Sequence, residues 1–90
     1  MTVYVDDMRK PVKLGYRLAN WSHMLADTPE ELAAFAQQLG LKSVWLQNAG
    51  TPKEHYDVTD TVRKQALALG AQAITYRQTI ELVARKKALK

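Results

Sequence analysis

Cysteine is absent from the 90 residues of this chain. Neither a disulfide framework nor a thiolate metal site is therefore available, and packing has to stabilise the fold. No apolar run approaches the roughly 20 residues that a membrane-spanning helix needs. Asp6 and Asp7 stand near the start, where a secretory signal would carry basic residues. We expect a cytoplasmic protein without a membrane partner.

Several common enzyme signatures are also missing. The chain has only four glycines, and they form neither a phosphate-binding P-loop nor a dinucleotide fingerprint. It contains no His-Glu-x-x-His helix motif and no Gly-x-Ser-x-Gly nucleophile motif. The enzyme classes that depend on these motifs are thereby disfavoured.

What is present fits one small domain over residues 1–90. Hydrophobic residues make up 47% of the chain, enough for a single modest core but not for two. The net charge of +4 is concentrated in two clusters. They contain Arg9, Lys10, Lys13 and Arg17, in a predicted loop or hairpin arm over residues 8–20, and Arg85, Lys86, Lys87 and Lys90 at the end of the chain. Such clusters bind phosphates, although cations also stabilise the end of a helix and keep a small protein soluble.

Three helices are expected from local signals. Thr28 is a cap for the first helix, Pro29 suits its first position, and Gly40 provides a left-handed end. The other two are predicted over residues 59–69, with Val62, Ala66 and Leu69 inward, and 77–88, with Ile80, Val83 and Ala84 inward. Thr75 and Gln78 are spaced as a capping box for the last helix.

Short apolar runs at residues 3–5, 24–26, 43–46 and 71–75 predict strands, and the runs at 3–5 and 43–46 are expected to be covered on both faces. Strands that alternate with helices favour right-handed crossovers. We therefore predict an α/β fold with three helices and a mainly parallel sheet of three or four strands. The predicted core contains Val3, Tyr4, Val5, Leu32, Phe35, Leu39, Val44, Trp45, Leu46 and Ile74.

Reactive side chains follow these apolar runs. Asp6 and Asp7 come after the first run, Gln47 comes after residues 43–46, and His23 and Asp27 bracket residues 24–26. Open α/β sheets bind ligands outside the carboxyl ends of their strands. We therefore expect most of these groups in one cleft.

The predicted site divides into three roles. The acid, base or orienting groups are expected to be His55, His23 and Asp57. The groups that contact substrate are expected to be Gln47, Tyr56 and Arg63. The metal ligands are expected to be one or both of Asp6 and Asp7, with Asp27, and Asp57 is a further candidate for the same oxygen-rich shell around Mg or Mn. Each residue type also has a structural explanation, as a turn or capping aspartate, a core histidine or an ion-paired arginine.

Nearly the whole chain carries a family pattern. It consists of Met-Thr-Val-Tyr-Val-Asp-Asp, Trp21-Ser22-His23-Met24 with Ala26-Asp27, Glu30-Glu31-Leu32 with Phe35-Ala36, Leu39-Gly40-Leu41, Trp45-Leu46-Gln47, His55-Tyr56-Asp57-Val58 with Arg63, and Leu69-Gly70-Ala71. In these segments the chain resembles the small bacterial and phage proteins catalogued as domain of unknown function 4031. The resemblance implies no activity. It implies motif positions at Asp6, Asp7, His23, Asp27, Trp45, Gln47, His55, Tyr56, Asp57 and Arg63, and the chain departs from the pattern in residues 9–20 and 48–54.

Three functions are compatible with these residues. The first is binding or processing of a nucleotide or another phosphate-containing substrate, with a divalent-metal-dependent phosphoester hydrolase as its enzymatic form. The second is a non-catalytic module that sequesters a nucleotide or inhibits a host protein. The third is nonspecific nucleic-acid binding, which is disfavoured because nine acids offset the charge and few aromatic residues accompany the basic clusters.

Overall fold

A long antiparallel hairpin forms the centre of the sheet. The computed structural model describes residues 2–14 and 17–89. Strand β3 (Arg17–Ala26) pairs along one edge with β1 (Val3–Val5) and β2 (Lys10–Leu14), and along its other edge with β4 (Tyr56–Thr59). Strand β5 (Gln72–Ala73) adds to β1 in parallel. The predicted arm is thus a hairpin, while Gly15 and Tyr16, the side chain of Arg17 and the terminal Lys90 lie outside the described residues.

The prediction of a mainly parallel sheet is wrong. In the described part of the chain, β1 and β5 form the only parallel pair, and the other three pairings are antiparallel. Adjacent strands of a hairpin are joined by a short turn and must run in opposite directions. The hairpin therefore sets the direction of the central strands, and the helical crossovers do not.

Residues 43–46 do not form the predicted strand. Ser43–Trp45 is a turn of 3₁₀ helix. Val44 and Trp45 are predicted in the core, but their exposed fractions are 81% and 50%. Leu46 alone of this run packs partly against the core. A four-residue apolar run has no periodicity that distinguishes a strand from another short segment.

The helices begin where their caps predict. They are α1 (Pro29–Gln38), α2 (Asp60–Ala68) and α3 (Tyr76–Ala88). The Thr28 hydroxyl accepts a hydrogen bond from the Glu31 backbone N–H at 3.2 Å, and Thr75 forms both bonds of a capping box with Gln78. Gly40 follows α1 with a φ of 75°, a conformation that suits glycine.

Helices α1 and α2 cover one face of the sheet. The core there contains Val3, Val5, Met24, Ala26, Leu32, Ala36, Tyr56, Val58, Ala66 and Ala71, with Phe35, Leu39 and Val62 packed partly against it. Ile74 is also buried, as predicted, but Leu69, predicted to face inward, follows the end of α2 and is exposed.

Helix α3 lies on the opposite face. Side chains alternate along a strand, so His23 and Leu25 point away from the face of Met24. The Thr79 hydroxyl donates to the Asp6 carboxylate, and the Tyr76 ring stacks on His23. The buried residues of α3 are Thr79 and Leu82, whereas Ile80, predicted inward, is exposed. None of the described helices has the length and apolar character needed to cross a bilayer.

A bulge separates β1 from β2. Val5 faces Met24 and Lys10 faces Trp21, so residues 6–9 lie opposite only Ser22 and His23. Arg9 within this segment has a φ of 46°, and its N–H donates to the Ser22 hydroxyl at 3.1 Å. Such a bulge re-aims side chains beside a sheet. Here it turns the Asp6 carboxylate toward His23.

Candidate functional site

The bulge brings a buried acid against His23. Asp6 is fully buried, and its carboxylate accepts hydrogen bonds from His23 Nδ1 at 2.8 Å, the His23 backbone N–H at 2.9 Å, the Met8 N–H at 3.2 Å and the Thr79 hydroxyl at 3.0 Å. These four donors satisfy a carboxylate that would otherwise be costly to bury. Asp6 therefore fixes both the backbone and the ring of His23.

The Asp6–His23 pair is polarised toward its charged form. Burial alone would raise the pKa of Asp6, but the hydrogen bonds from His23 and Met8 outweigh burial and lower it below its ordinary value. The hydrogen bond to Asp6 raises the pKa of His23 above its ordinary value, although burial opposes the rise. Both pKa shifts favour an imidazolium beside a carboxylate.

His55 is oriented by the backbone. It lies just before β4, where it forms an isolated bridge with Gln47, and its Nδ1 is 2.7 Å from the Lys53 carbonyl oxygen. A carbonyl only accepts hydrogen bonds, so Nδ1 must carry a proton. The Nε2 atom then faces the Asp57 carboxylate, with 3.3 Å between Nε2 and Oδ1.

Asp57 is held from its other side. It follows His55 by two residues on the same face of β4, and it lies opposite His23 in the register of β3 and β4. The Gln47 side-chain amide donates to Asp57 Oδ2. This hydrogen bond leaves Oδ1 directed at the histidine.

The two histidines and Asp57 form a compact cluster. The rings of His23 and His55 meet edge to face with 5.0 Å between their centroids, and one donor atom from each of the three residues lies within 4.8 Å of the others. Since Nδ1 of both histidines is engaged, Nε2 is the nitrogen that each directs at a ligand. The chemistry available here is coordination of a divalent ion or proton transfer.

The cluster lies in an open groove of about 900 Å³. Most of its lining is apolar. The lining residues are Met8, Lys10, Trp21, His23, Leu41, Val44, Trp45, Leu46, Gln47, His55, Asp57, Val58, Thr59 and Val62. The volume suits a small molecule or a segment of a polymer.

The three acids predicted as metal ligands do not form one oxygen shell. Asp6 is enclosed behind His23, and Asp7 accepts the Tyr76 N–H at the start of α3 at 2.8 Å. Asp27 lies at the opposite end of β1, where it accepts hydrogen bonds from the Thr2 N–H at 3.1 Å and the Tyr4 hydroxyl at 2.9 Å. Asp6, Asp7 and Asp27 therefore do not share one site. Among the described residues, the only group with ligand spacing is His23, His55 and Asp57.

The predicted substrate contacts also separate. Gln47 lines the groove. Tyr56 is 97% buried, with 3% of its surface exposed, and packs in the core on the face opposite His55. Arg63 reaches from α2 to donate to the Asp6 carbonyl at 2.8 Å, so it supports the bulge instead of facing the groove.

Sequence reasoning missed several residues that shape the site. Tyr76, Thr79 and Leu82 are spaced three residues apart and so lie on one face of α3. A polar threonine on the same face as a buried leucine indicates that this face meets a polar group. Trp21 and Lys10 are cross-strand neighbours in the hairpin. Lys10 and Trp21 are brought together by the strand register, which cannot be read from the sequence.

Comparison with known proteins identifies a family whose function is unknown. A family model described as a protein of unknown function, DUF4031, matches residues 3–86. No curated protein and no solved structure matches the chain.

Proposed function

The chain belongs to the DUF4031 family of proteins of unknown function, and from its own residues we propose a divalent-metal-dependent phosphoester hydrolase. The proposed ligands are His23, His55 and Asp57. One observation carries the proposal: a second group holds each ligand in place. The Asp6 carboxylate orients His23, the Lys53 carbonyl orients His55, and the Gln47 amide orients Asp57. Metal-binding histidines typically donate their other ring N–H to such partners.

The electrostatics of His55 support a bound cation. When the ring is neutral with its proton on Nδ1, Nε2 carries a lone pair. That lone pair faces the Asp57 carboxylate across 3.3 Å, which is repulsive unless a proton or a metal ion lies between the two atoms. A metal ion would satisfy both donors together with His23.

The donor set favours zinc over magnesium. Two imidazoles and one carboxylate, with the remaining positions open, match the ligand set of catalytic zinc sites. Magnesium prefers oxygen ligands, and the oxygen-rich shell expected from the three aspartates is not formed.

The chemistry follows from the open groove. A divalent ion held by His23, His55 and Asp57 would polarise a phosphate oxygen and would lower the pKa of a bound water. The water oxygen adds to phosphorus, the bond from phosphorus to the alcohol oxygen breaks, and the alcohol leaves with the proton that the water gives up. Lys10 on the groove wall is positioned to offset the charge of the phosphate.

Zinc titration tests the proposed site. We expect wild-type protein stripped of metal to bind one equivalent of Zn²⁺ in a calorimeter and then to hydrolyse bis(p-nitrophenyl) phosphate. Asp57→Asn should weaken zinc binding by about tenfold or more, whereas Asp27→Asn, the matched control at the far end of β1, should bind as the wild type does. Thermal melts of the stripped proteins check that each variant folds.

Two results would contradict the proposal. Equal zinc affinity of the wild type and Asp57→Asn would contradict the proposed metal site. Tight zinc binding without turnover of phosphate monoesters or diesters would contradict the hydrolase function. That result would favour the second candidate function, a non-catalytic binding module. The exposed Val44 and Trp45 beside the cluster specifically favour that second candidate, because exposed apolar groups gathered in one place mark interaction surfaces.

A further inference from the structure

An aromatic wall borders the groove. Trp45, half exposed, and Trp21 both line it. The Lys42 ammonium lies over the Trp45 ring, 5.6 Å from its centroid. The sequence predicts Trp45 in the core, and it disfavours nucleic-acid binding because few aromatic residues accompany the two basic clusters. The structure instead exposes Trp45 beside Lys42, so an aromatic ring lies next to a basic group outside those clusters.

The charge of the wall complements a phosphate backbone. Lys10 lies in the groove beside Trp21, its partner across the hairpin. Asp57 is the one carboxylate among the groove-lining residues of the described chain, and it is a ligand in the proposed metal site. Exposed aromatic rings next to lysines form the usual surface for single strands, whose unpaired bases stack and whose phosphates attract cations.

We propose that the substrate of this site is a single-stranded nucleic acid. One base stacks on Trp45, Lys10 contacts a backbone phosphate, and the adjacent phosphoester lies at His23, His55 and Asp57. The bases of a duplex are already stacked on one another, so they cannot stack on Trp45 without unpairing. The identity of the substrate rests on the proposed hydrolase function, but binding of the strand does not require the metal ion.

Fluorescence anisotropy with labelled 12-nucleotide strands tests this proposal. Oligo(dT), oligo(U) and a 12-base-pair duplex are each titrated in EDTA and then in Zn²⁺. We expect either or both single strands to bind more tightly than the duplex, and the stronger of the two identifies DNA or RNA. Trp45→Ala should weaken strand binding by about 5- to 100-fold, and Trp45→Phe should retain part of it. Ile80→Ala, which removes an exposed apolar side chain on α3, is the matched control.

Salt dependence tests the role of Lys10. Lys10→Gln should reduce the slope of log affinity against log salt by about 0.7. The same change at Lys64, an exposed lysine of α2, should leave the slope unchanged because Lys64 does not line the groove.

Failure of this proposal is distinguishable from failure of the hydrolase. The single-strand proposal is overturned if Trp45→Ala binds strands as well as the wild type, if the duplex binds as tightly as the single strands, or if no strand binds at about 100 µM. Zinc-dependent turnover of the small ester would survive any of those results. Conversely, the protein could bind strands through Trp45 and yet bind no zinc. That result would support the single-strand proposal and contradict the hydrolase proposal.

Discussion

Asp6 shows how one side chain acquires a role that its sequence context does not reveal. An acid directly after a strand is equally consistent with a metal ligand, a cap or a buried ion pair. The choice is made by the bulge, which aims Asp6 at His23 and leaves Asp7 to accept the first N–H of α3. Neighbouring residues of an extended chain point to opposite sides, and the partner of each acid lies far away in sequence.

Replacing Asp6 tests its hold on His23. In Asp6→Asn protein kept free of metal, the pKa of His23 should fall toward its ordinary value of 6.5, because the hydrogen bond to the carboxylate is the main cause of the rise. The His23 ring resonance, followed by NMR across a pH titration, measures the change. Asp27→Asn is the control, and an unchanged titration of His23 in Asp6→Asn would contradict the assignment.

The same variant should change how stability depends on pH. A raised pKa of His23 stabilises the fold fully below pH 6.5, and this contribution is lost as the pH rises through the raised value. A lowered pKa of Asp6 stabilises the fold above pH 3.8, and this contribution is lost as the pH falls through the lowered value. Urea denaturation should show that Asp6→Asn costs about 3 kcal/mol between these limits. The cost should shrink on either side of them.

At the scale of elements, signals contained within a few residues are reliable. The caps at Thr28 and Thr75 and the end at Gly40 predict helix boundaries because every group involved lies within one turn. Strand predictions are less reliable, because whether a segment forms a strand depends on pairing with a distant part of the chain. Residues 43–46 have the composition of a strand, yet they pair with no strand in the described structure. The inward face of a helix also depends on its neighbours, which explains why Ile80 is exposed and Thr79 is buried.

Truncations along α1 test its register. Leu32 has 2% of its surface exposed, whereas Phe35 is only partly buried against the core. Leu32→Ala should therefore lower the free energy of unfolding by about 3 kcal/mol, and Phe35→Ala by less than the roughly 3 to 5 kcal/mol that full burial would cost. Ile80→Ala on α3 should change it by less than about 0.5 kcal/mol. Chemical denaturation measures all three, and a larger loss from Ile80→Ala than from Leu32→Ala would refute the packing described here.

At the scale of the whole molecule, the hairpin explains both the shape and the location of the site. The principal extents are 42 × 25 × 23 Å. Residues 17–20 of β3 pair only with β2, whereas residues 21–24 of β3 pair with β4. The convergence of His23 with Asp57 is a consequence of that second pairing. The sequence predicts that reactive groups gather, but it cannot supply the register that selects which of them meet.

Hydrogen exchange tests this division of the hairpin. A two-stranded ribbon is marginally stable alone, so the backbone amides of residues 10, 12, 13 and 18–20 should exchange faster than those of residues 24–26, which lie in the covered part of the sheet. Mass spectrometry or NMR resolves the two groups. Equal protection of both segments would show that the hairpin is stabilised along its entire length.

The bulge at residues 6–9 also makes the site sensitive to chain length. Removing two residues there would place β1 and β2 in one uninterrupted register against β3, since four residues now lie opposite two. The resulting strand would be more regular, but the carboxylate of Asp6 would no longer occupy the pocket between His23 and Thr79. Deletions that simplify the sheet would thus dismantle the site, and changes of residue type at the exposed positions of the same segment would be tolerated far better than any change in their number.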